Sequence, residues 1–157
     1  MKLSANFTLS ELTKSQMATR HGIPNEPKPD HIDNLKALCI NVLQPIRSEF
    51  EKPVMISSGY RSPELCVRIG SSINSQHAKG QAADFEIHSV SNYDLAVWIK
   101  NNLQIDQLIL EFHNRDEPNS GWVHCSYSTT ENRNQSLIAY RDEDGKVQYA
   151  LIVTGKQ

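Results

Sequence analysis

The sequence predicts an α+β fold in which helices pack on a small, mainly antiparallel sheet. Helix-type apolar spacing dominates residues 9–50, whereas strand-type patterns dominate residues 107–153. Between these regions, Ala82 to His88 alternates apolar and polar residues with a period of two, as in a half-buried strand. Near the end of the chain, two short strand patterns flank Asp142-Glu-Asp-Gly145, which is typical of a hairpin.

The first third of the chain is predicted to be helical, with one proline-rich interruption. Thr8-Leu-Ser-Glu11 is a capping box that begins a helix ending near Gly22. Three prolines make residues 23–30 an extended connector. In the longer helix that follows, Pro45 should cause a kink or end its first half. The apolar face of that helix consists of Ile32, Leu35, Leu38, Cys39, Val42, Leu43, Ile46 and Phe50.

The remainder of the chain is predicted to combine short strands with short helices. Residues 53–57 form a buried strand, and Ser62-Pro63 then begins a helix that Gly70 closes. The polar residues 71–80 predict a loop, and Ser91-Asn-Tyr-Asp94 caps a further helix. Further strands are predicted at residues 82–88, 107–113, 122–127, 137–140 and 147–153.

Composition and charge limit the classes of protein to consider. The 157 residues, of which 38% are hydrophobic and 22% charged, suit one globular domain with its own core. The formal net charge of −2 disfavours a nucleic-acid-binding protein. No apolar run reaches the ~18–20 residues of a membrane span, and the amino terminus lacks a signal-type apolar stretch. We therefore expect a monomer made in the cytoplasm, whose three cysteines are packed thiols.

His77, Asp84 and His124 are the residues with the clearest chemical meaning. Two imidazoles and one carboxylate form a mixed nitrogen and oxygen ligand set that suits zinc, and three protein ligands leave one position for water. Asp84 is predicted to point away from the apolar face of its strand, as is His124 on a neighbouring strand, with His77 on a loop above them. Alone, this spacing also fits hydrogen-bonded histidines and a capping aspartate.

The residues around these three resemble a known family. Ser75-x-His77-x-x-Gly80-x-Ala82-x-Asp84, followed by Trp122-Val-His124, resembles the zinc peptidases of the M15 family, most of all their compact branch found in phages and prophages. Flanking matches are Asn6-Phe-Thr-Leu-Ser-Glu11, Gly22-Ile-Pro-Asn25, Val42-Leu-Gln-Pro-Ile-Arg47 and Ser58-Gly-Tyr-Arg-Ser62. We therefore assign residues 3–127 to an M15-like zinc peptidase domain and residues 128–157 to a C-terminal hairpin extension of it.

The resemblance implies roles for individual residues. The two histidines and Asp84 would hold a zinc ion, and Ser75 would lie at the lip of the substrate site, with Trp122 as a further substrate contact. Arg61 matches the arginine that faces the scissile carbonyl in the family, where a guanidinium would stabilise an oxyanion. The alternative for Arg61 is a surface ion pair.

The sequence departs from the family pattern at the general base. Many members have an acid three residues before the last histidine, where this chain has Gly121. Glu111 is the best substitute, because a glutamate in so apolar a strand needs a partner such as a cation. The alternative is that Glu111 pairs with an arginine at the strand end. Asp116 and Glu117 are rival bases on the following loop, and His113 is a weaker candidate.

Two functions are open on this evidence. The first is a zinc metallopeptidase that hydrolyses amide bonds of bacterial peptidoglycan stem peptides, as an endolysin or a D,D-carboxypeptidase does; a phage-type enzyme would act at the cell wall. The second is a non-catalytic zinc-containing binding domain or virion-structural domain on the same scaffold, which the missing acid at Gly121 allows.

Overall fold

In the computed structural model, which describes residues 1–152, helices cover the apolar face of a six-stranded sheet. The helices are α1 (Leu9–Thr13), α2 (Gln16–His21), α3 (Pro29–Leu38), α4 (Gln44–Phe50), α5 (Pro63–Ile69) and α6 (Asn92–Asn102). The strands are β1 (Lys2–Ser4), β2 (Phe7–Thr8), β3 (Met55–Ser58), β4 (Ala82–Glu86), β5 (Gln107–Glu111), β6 (Trp122–Ser126), β7 (Gln135–Arg141) and β8 (Val147–Leu151).

The large sheet has the strand order β3-β4-β6-β5-β7-β8, and β1 and β2 form a separate antiparallel pair. Within the large sheet only β5 and β7 run parallel, and the other four neighbouring pairs are antiparallel. The predicted α+β fold with a mainly antiparallel sheet is therefore confirmed. Among the described residues, none of the helices has the length and apolar character needed to cross a bilayer.

The core lies between this sheet and helices α3, α4 and α6. Phe85 on β4 and Val123 on β6 are opposite each other and fully buried against these helices. Alternation along the strands, which sends successive side chains to opposite faces, leaves Asp84 and His124 on the other face of the sheet. All three cysteines are buried and free, as expected, and burial raises the pKa of the Cys39 thiol to about 12.

The prediction of a single helix that ends near Gly22 is wrong, because the chain forms two short helices there. Thr8 and Glu11 form the predicted capping box at the start of α1. Ser15 then acts as a second N-cap, since its Oγ accepts a hydrogen bond from the Ala18 N–H at 3.1 Å. Gly22 ends α2 in the left-handed conformation, as predicted.

The long helix begins earlier than predicted and does not end at Pro45. It begins at Pro29, inside the predicted connector, because a proline at the first helical position loses no hydrogen bond. The chain then stays helical to Phe50 through a π-helical segment, Cys39–Leu43, so of the two outcomes predicted at Pro45 the end of the helix is wrong and the kink stays a prediction. In this segment the Gln44 N–H donates a hydrogen bond to the Cys39 carbonyl oxygen. The wider turn tolerates the absence of an N–H on Pro45.

Several further elements differ from their predictions in detail. The predicted loop at residues 71–80 contains a 3₁₀ turn, Gln76–Lys79, which Gly80 ends at a φ of 75°. The strand predicted to reach His88 ends at Glu86, and the strand predicted to reach His113 ends at Glu111. The predicted hairpin is β7–β8, and Val153, at the end of its second predicted strand, lies outside the described residues.

The hairpin is fixed to the rest of the sheet by a buried carboxylate. Asp106, immediately before β5, accepts hydrogen bonds from Arg133 Nε and Nη2, both at 2.9 Å, and from Gln76 Nε2 at 2.8 Å. The bonds from Arg133 are the main reason that the Asp106 pKa falls to about 2. The segment before β7 is thereby joined to the 3₁₀ turn that carries His77. The boundary predicted after residue 127 stays a prediction.

Candidate metal centre

Strand register places Asp84 and His124 directly opposite each other. They are partners in the antiparallel β4–β6 ladder, so both side chains project from the same face of the sheet. His124 Nδ1 lies 2.9 Å from Asp84 Oδ1, and both side chains are largely shielded from solvent. The alternation of apolar and polar residues on two neighbouring strands thus brings the carboxylate and the imidazole together.

His77 reaches the same carboxylate from the 3₁₀ turn above the sheet. Ser75 caps this turn, because its Oγ accepts a hydrogen bond from the His77 N–H at 3.1 Å. His77 Nδ1 lies 2.8 Å from the carbonyl oxygen of Gly59, so Nδ1 carries the ring proton and donates it to that oxygen. His77 Nε2 is then left as a lone-pair donor, 3.5 Å from Asp84 Oδ1.

The geometry and chemistry of the three residues fit a zinc ion. One potential ligand atom from each of them lies within 4.8 Å of the others. Zinc–ligand bonds of about 2.0–2.2 Å in a tetrahedron separate ligand atoms by roughly 3.3–3.6 Å, which a small adjustment of these side chains achieves. No further His, Cys, Asp or Glu of residues 1–152 joins the group. A tetrahedral ion held here would therefore have one position for a non-protein ligand.

The Asp84 carboxylate is charged despite its burial. Burial alone raises its pKa, but its interactions with the imidazoles of His124 and His77 outweigh this and hold the pKa well below its usual range. Arg61 Nη2 lies 3.3 Å from Asp84 Oδ2, on the side away from the histidines. Asp84 therefore offers a permanent negative charge, which a divalent cation would neutralise.

Arg61 is part of this group. Its Nε donates a hydrogen bond to Ser58 Oγ at 2.9 Å, which fixes the guanidinium beside Asp84. The ion pair considered from the sequence therefore exists, but it is formed with Asp84 at the site, and the Arg61 side chain is only 20% exposed. This position puts a cation beside the candidate metal ligands, where it could contact a polarised carbonyl oxygen.

Glu111 lies on the same face of the sheet, at the end of β5. It is opposite Trp122 in the β5–β6 ladder, so it is the diagonal neighbour of His124, at a typical distance of roughly 7–8 Å. Burial is the main cause that raises the Glu111 pKa; the charge of Asp84 also raises it, whereas His124 and Arg61 lower it. Among residues 1–152 Glu111 forms no ion pair with an arginine, so the structure does not support that alternative.

Trp122 lies beside Glu111 and has an unused donor. Its indole Nε1 is buried and forms no hydrogen bond of normal geometry, yet it is close enough to Glu111 to lower the pKa of that carboxyl. Such a donor can bind an oxygen of a bound molecule. Ser75, by contrast, uses its hydroxyl to cap the His77 turn. The substrate contacts predicted for these two residues stay predictions.

The rival bases lie on the loop between β5 and β6. Asp116 and Glu117 are exposed, and both interact with Asn114 in the same turn, through the Asp116 N–H and the Glu117 carboxylate. His113 Nδ1 lies 3.1 Å from the Ser120 carbonyl oxygen, and its ring stacks on Tyr93. Of the predicted site residues, Glu111 and Trp122 thus share the face of the sheet that carries Asp84 and His124, whereas these three lie on the loop.

The backbone explains why no acid occupies position 121. Gly121 has a φ of 69°, and a Cβ built on it would lie only 1.9 Å from the Glu111 carbonyl oxygen. Any side chain there collides with the main chain of β5. The missing acid is therefore a consequence of how closely the loop after Glu111 approaches Gly121.

Substituting Gly121 with alanine is expected to destabilise the fold by at least about 3 kcal/mol, because a left-handed φ is combined with a main-chain clash. Gly145→Ala is the matched control, since Gly145 has a φ of 78° but no atom within 4 Å of the added Cβ. We expect a cost of about 1 kcal/mol there. Urea unfolding of both variants measures the two values, and equal losses would contradict this account of Gly121.

Sequence reasoning missed two residues that hold the site together. Gly59 supplies the carbonyl that orients His77, and a Cβ on Gly59 would lie 2.3 Å from the Leu12 carbonyl oxygen. Ser58 positions Arg61. Both belong to the segment Ser58-Gly-Tyr-Arg-Ser62, so the available signal was their place within that motif and not their residue type.

Comparison with known proteins agrees with this geometry. The family model described as peptidase M15 matches residues 5–126, which include all of the candidate site residues. A comparison with curated proteins finds no match. The match covers well over half of the 157 residues, and the chain belongs to the peptidase M15 family.

Proposed function

We propose that this protein is a zinc-dependent peptidase that hydrolyses amide bonds in the stem peptides of bacterial peptidoglycan. The observation that carries the proposal is the convergence of His77, Asp84 and His124 on one point, in a chain of the peptidase M15 family. Their ligand set is that of a catalytic zinc site, with three protein ligands. The substrate class follows from the family resemblance. We further propose that the protein acts at the cell wall, as an endolysin or a D,D-carboxypeptidase, and that it is a monomer.

The chain's own residues divide the chemistry between them. A zinc ion bound here would supply Lewis acidity to the scissile carbonyl and acidify a water molecule. We assign to Arg61 the stabilisation of the negative charge that develops on the carbonyl oxygen, which its ion pair with Asp84 beside the candidate ligands supports. We assign to Glu111 the role of accepting the proton of the attacking water and passing it to the leaving amine, which its raised pKa supports.

Purified peptidoglycan provides the direct test. We expect the zinc-loaded protein to release new free amino groups, and a chelator to abolish this release until zinc is added back. Mass spectrometry of the released muropeptides identifies the bond that is cut. Release that is unaffected by the chelator would contradict a metal-dependent mechanism.

The competing function is a non-catalytic domain that binds zinc or assembles into a virion. The missing acid at position 121 was its main support, and the contact between Gly121 and the Glu111 main chain accounts for that absence in another way. If the zinc-loaded protein binds peptidoglycan but releases no amino groups from it, the non-catalytic domain becomes the better explanation.

A further inference from the structure

A second feature next to the candidate metal centre is a cleft of about 630 Å³ between the α1–α2 corner, strand β3 and helix α5. Arg61 belongs to its lining, and the same Arg61 lies 3.3 Å from Asp84. The cleft therefore leads directly to the point at which the candidate ligands converge. None of the family roles described above falls on its other residues.

The cleft is cationic, although the whole chain is not. Lys14, Arg20 and Arg61 line it, and its lining contains no Asp or Glu, whereas the chain carries a formal net charge of −2. Lys14 and Arg20 are exposed, and within residues 1–152 neither side chain forms an ion pair. Two cations without acidic partners at the edge of a cleft attract an anionic ligand.

The other walls of the cleft suit a peptide. Met17, Ile56 and Ile69 provide apolar surface between the charged groups. Strand β3 is the edge strand of the sheet, with β4 as its partner, so its outer backbone edge can hydrogen-bond to an extended chain. Lys14, Arg20 and Arg61 line the same cleft, so a peptide bound there can contact all three cations.

We propose that this cleft binds the carboxylate-bearing part of the substrate peptide and delivers the neighbouring amide bond to Arg61 and the metal ligands. This inference rests on the proposed peptidase function. Stem peptides with D-isoglutamate and a free C-terminus carry carboxylates close to their amide bonds, and amidation removes these charges. Lys14 and Arg20 would thus make the enzyme select acidic stem peptides over amidated ones.

The test compares two pentapeptides, L-Ala-D-isoGlu-L-Lys-D-Ala-D-Ala and its counterpart with both free α-carboxylates converted to carboxamides. We expect the wild type to have a higher kcat/KM for the acidic peptide. In the double variant Lys14→Gln/Arg20→Gln this preference should fall about 3- to 10-fold, mainly through KM, as expected for the loss of two exposed charge pairs. The preference should also shrink in 0.5 M salt.

The control is Lys36→Gln/Lys100→Gln, which removes two exposed cations on α3 and α6, outside the cleft. An equal loss of preference in this control, or a wild type without any preference, would overturn the cleft assignment. Calorimetry with Glu111→Gln measures binding of both peptides without turnover. If this variant binds the acidic peptide selectively but the wild type cleaves neither peptide, the cleft assignment is supported and the peptidase proposal is contradicted. If the wild type cleaves both peptides and neither protein distinguishes them, the peptidase proposal is supported and the cleft assignment is contradicted.

Discussion

Replacing Glu111 with glutamine is expected to lower kcat by about 10²–10⁴-fold while metal binding stays unchanged. The amide keeps the shape of the side chain but cannot accept a proton. Glu111 is not among the candidate ligands, so zinc affinity should not depend on its charge. Release of amino groups from peptidoglycan measures kcat, and zinc content after dialysis shows whether the metal is retained.

The pH dependence of kcat/KM tests the role of Glu111 independently. A base works only when deprotonated, so activity should fall as the pH drops through the pKa of Glu111. Since burial raises that pKa, the acidic limb of kcat/KM should lie above the ordinary glutamate value of about 4.3. Glu117→Gln is the matched control on the exposed loop. If that variant, or Asp116→Asn, abolishes turnover while Glu111→Gln does not, then the base has been assigned to the wrong residue.

Replacing Asp84 with asparagine is expected to weaken zinc binding by more than about 100-fold and to abolish metal-dependent hydrolysis. Asp84 supplies the single negative charge of the ligand group, and its Oδ1 lies near both histidines. Loss of a direct ligand should exceed the 10–100-fold typical of residues that only support ligands. Competition with a chromogenic chelator measures the zinc dissociation constant.

Asp33→Asn serves as the control, because Asp33 is an exposed carboxylate on α3 and does not belong to the candidate metal group. Circular dichroism of Asp84→Asn separates a local loss of metal from unfolding. A folded Asp84→Asn protein that binds zinc as tightly as the wild type would remove Asp84 from the ligand set, and the three-ligand site with it.

The grouping of the candidate ligands could be predicted because it depends on alternation along strands. Once Asp84 and His124 are placed on neighbouring strands, a period of two decides which face each side chain occupies. The motif around His77 identified the third candidate ligand. Strand register, by contrast, also depends on turn geometry and on which distant strands become neighbours, and the alternation of one strand does not specify these.

The details that were predicted wrongly arise from contacts between distant parts of the chain. The start of α3 at Pro29, and a helix that does not end at Pro45, show that both prolines occupy helical positions where the missing N–H is tolerated. The clash that requires glycine at position 121 involves a carbonyl ten residues away. The cationic cleft draws its lining from residues 14–20, 56–61 and 65–69, so its charge becomes visible only after folding.

The Asp106–Arg133 pair has a consequence for where the enzyme can be truncated. The matched family region ends at residue 126, but Arg133, which donates three hydrogen bonds to the Asp106 carboxylate, lies seven residues beyond it. A fragment cut at the family limit would lose Arg133 together with strand β7, the partner of β5, and the shielded Asp106 carboxylate would keep Gln76 as its remaining side-chain donor. The shortest stably folded fragment is therefore expected to extend beyond the matched family region.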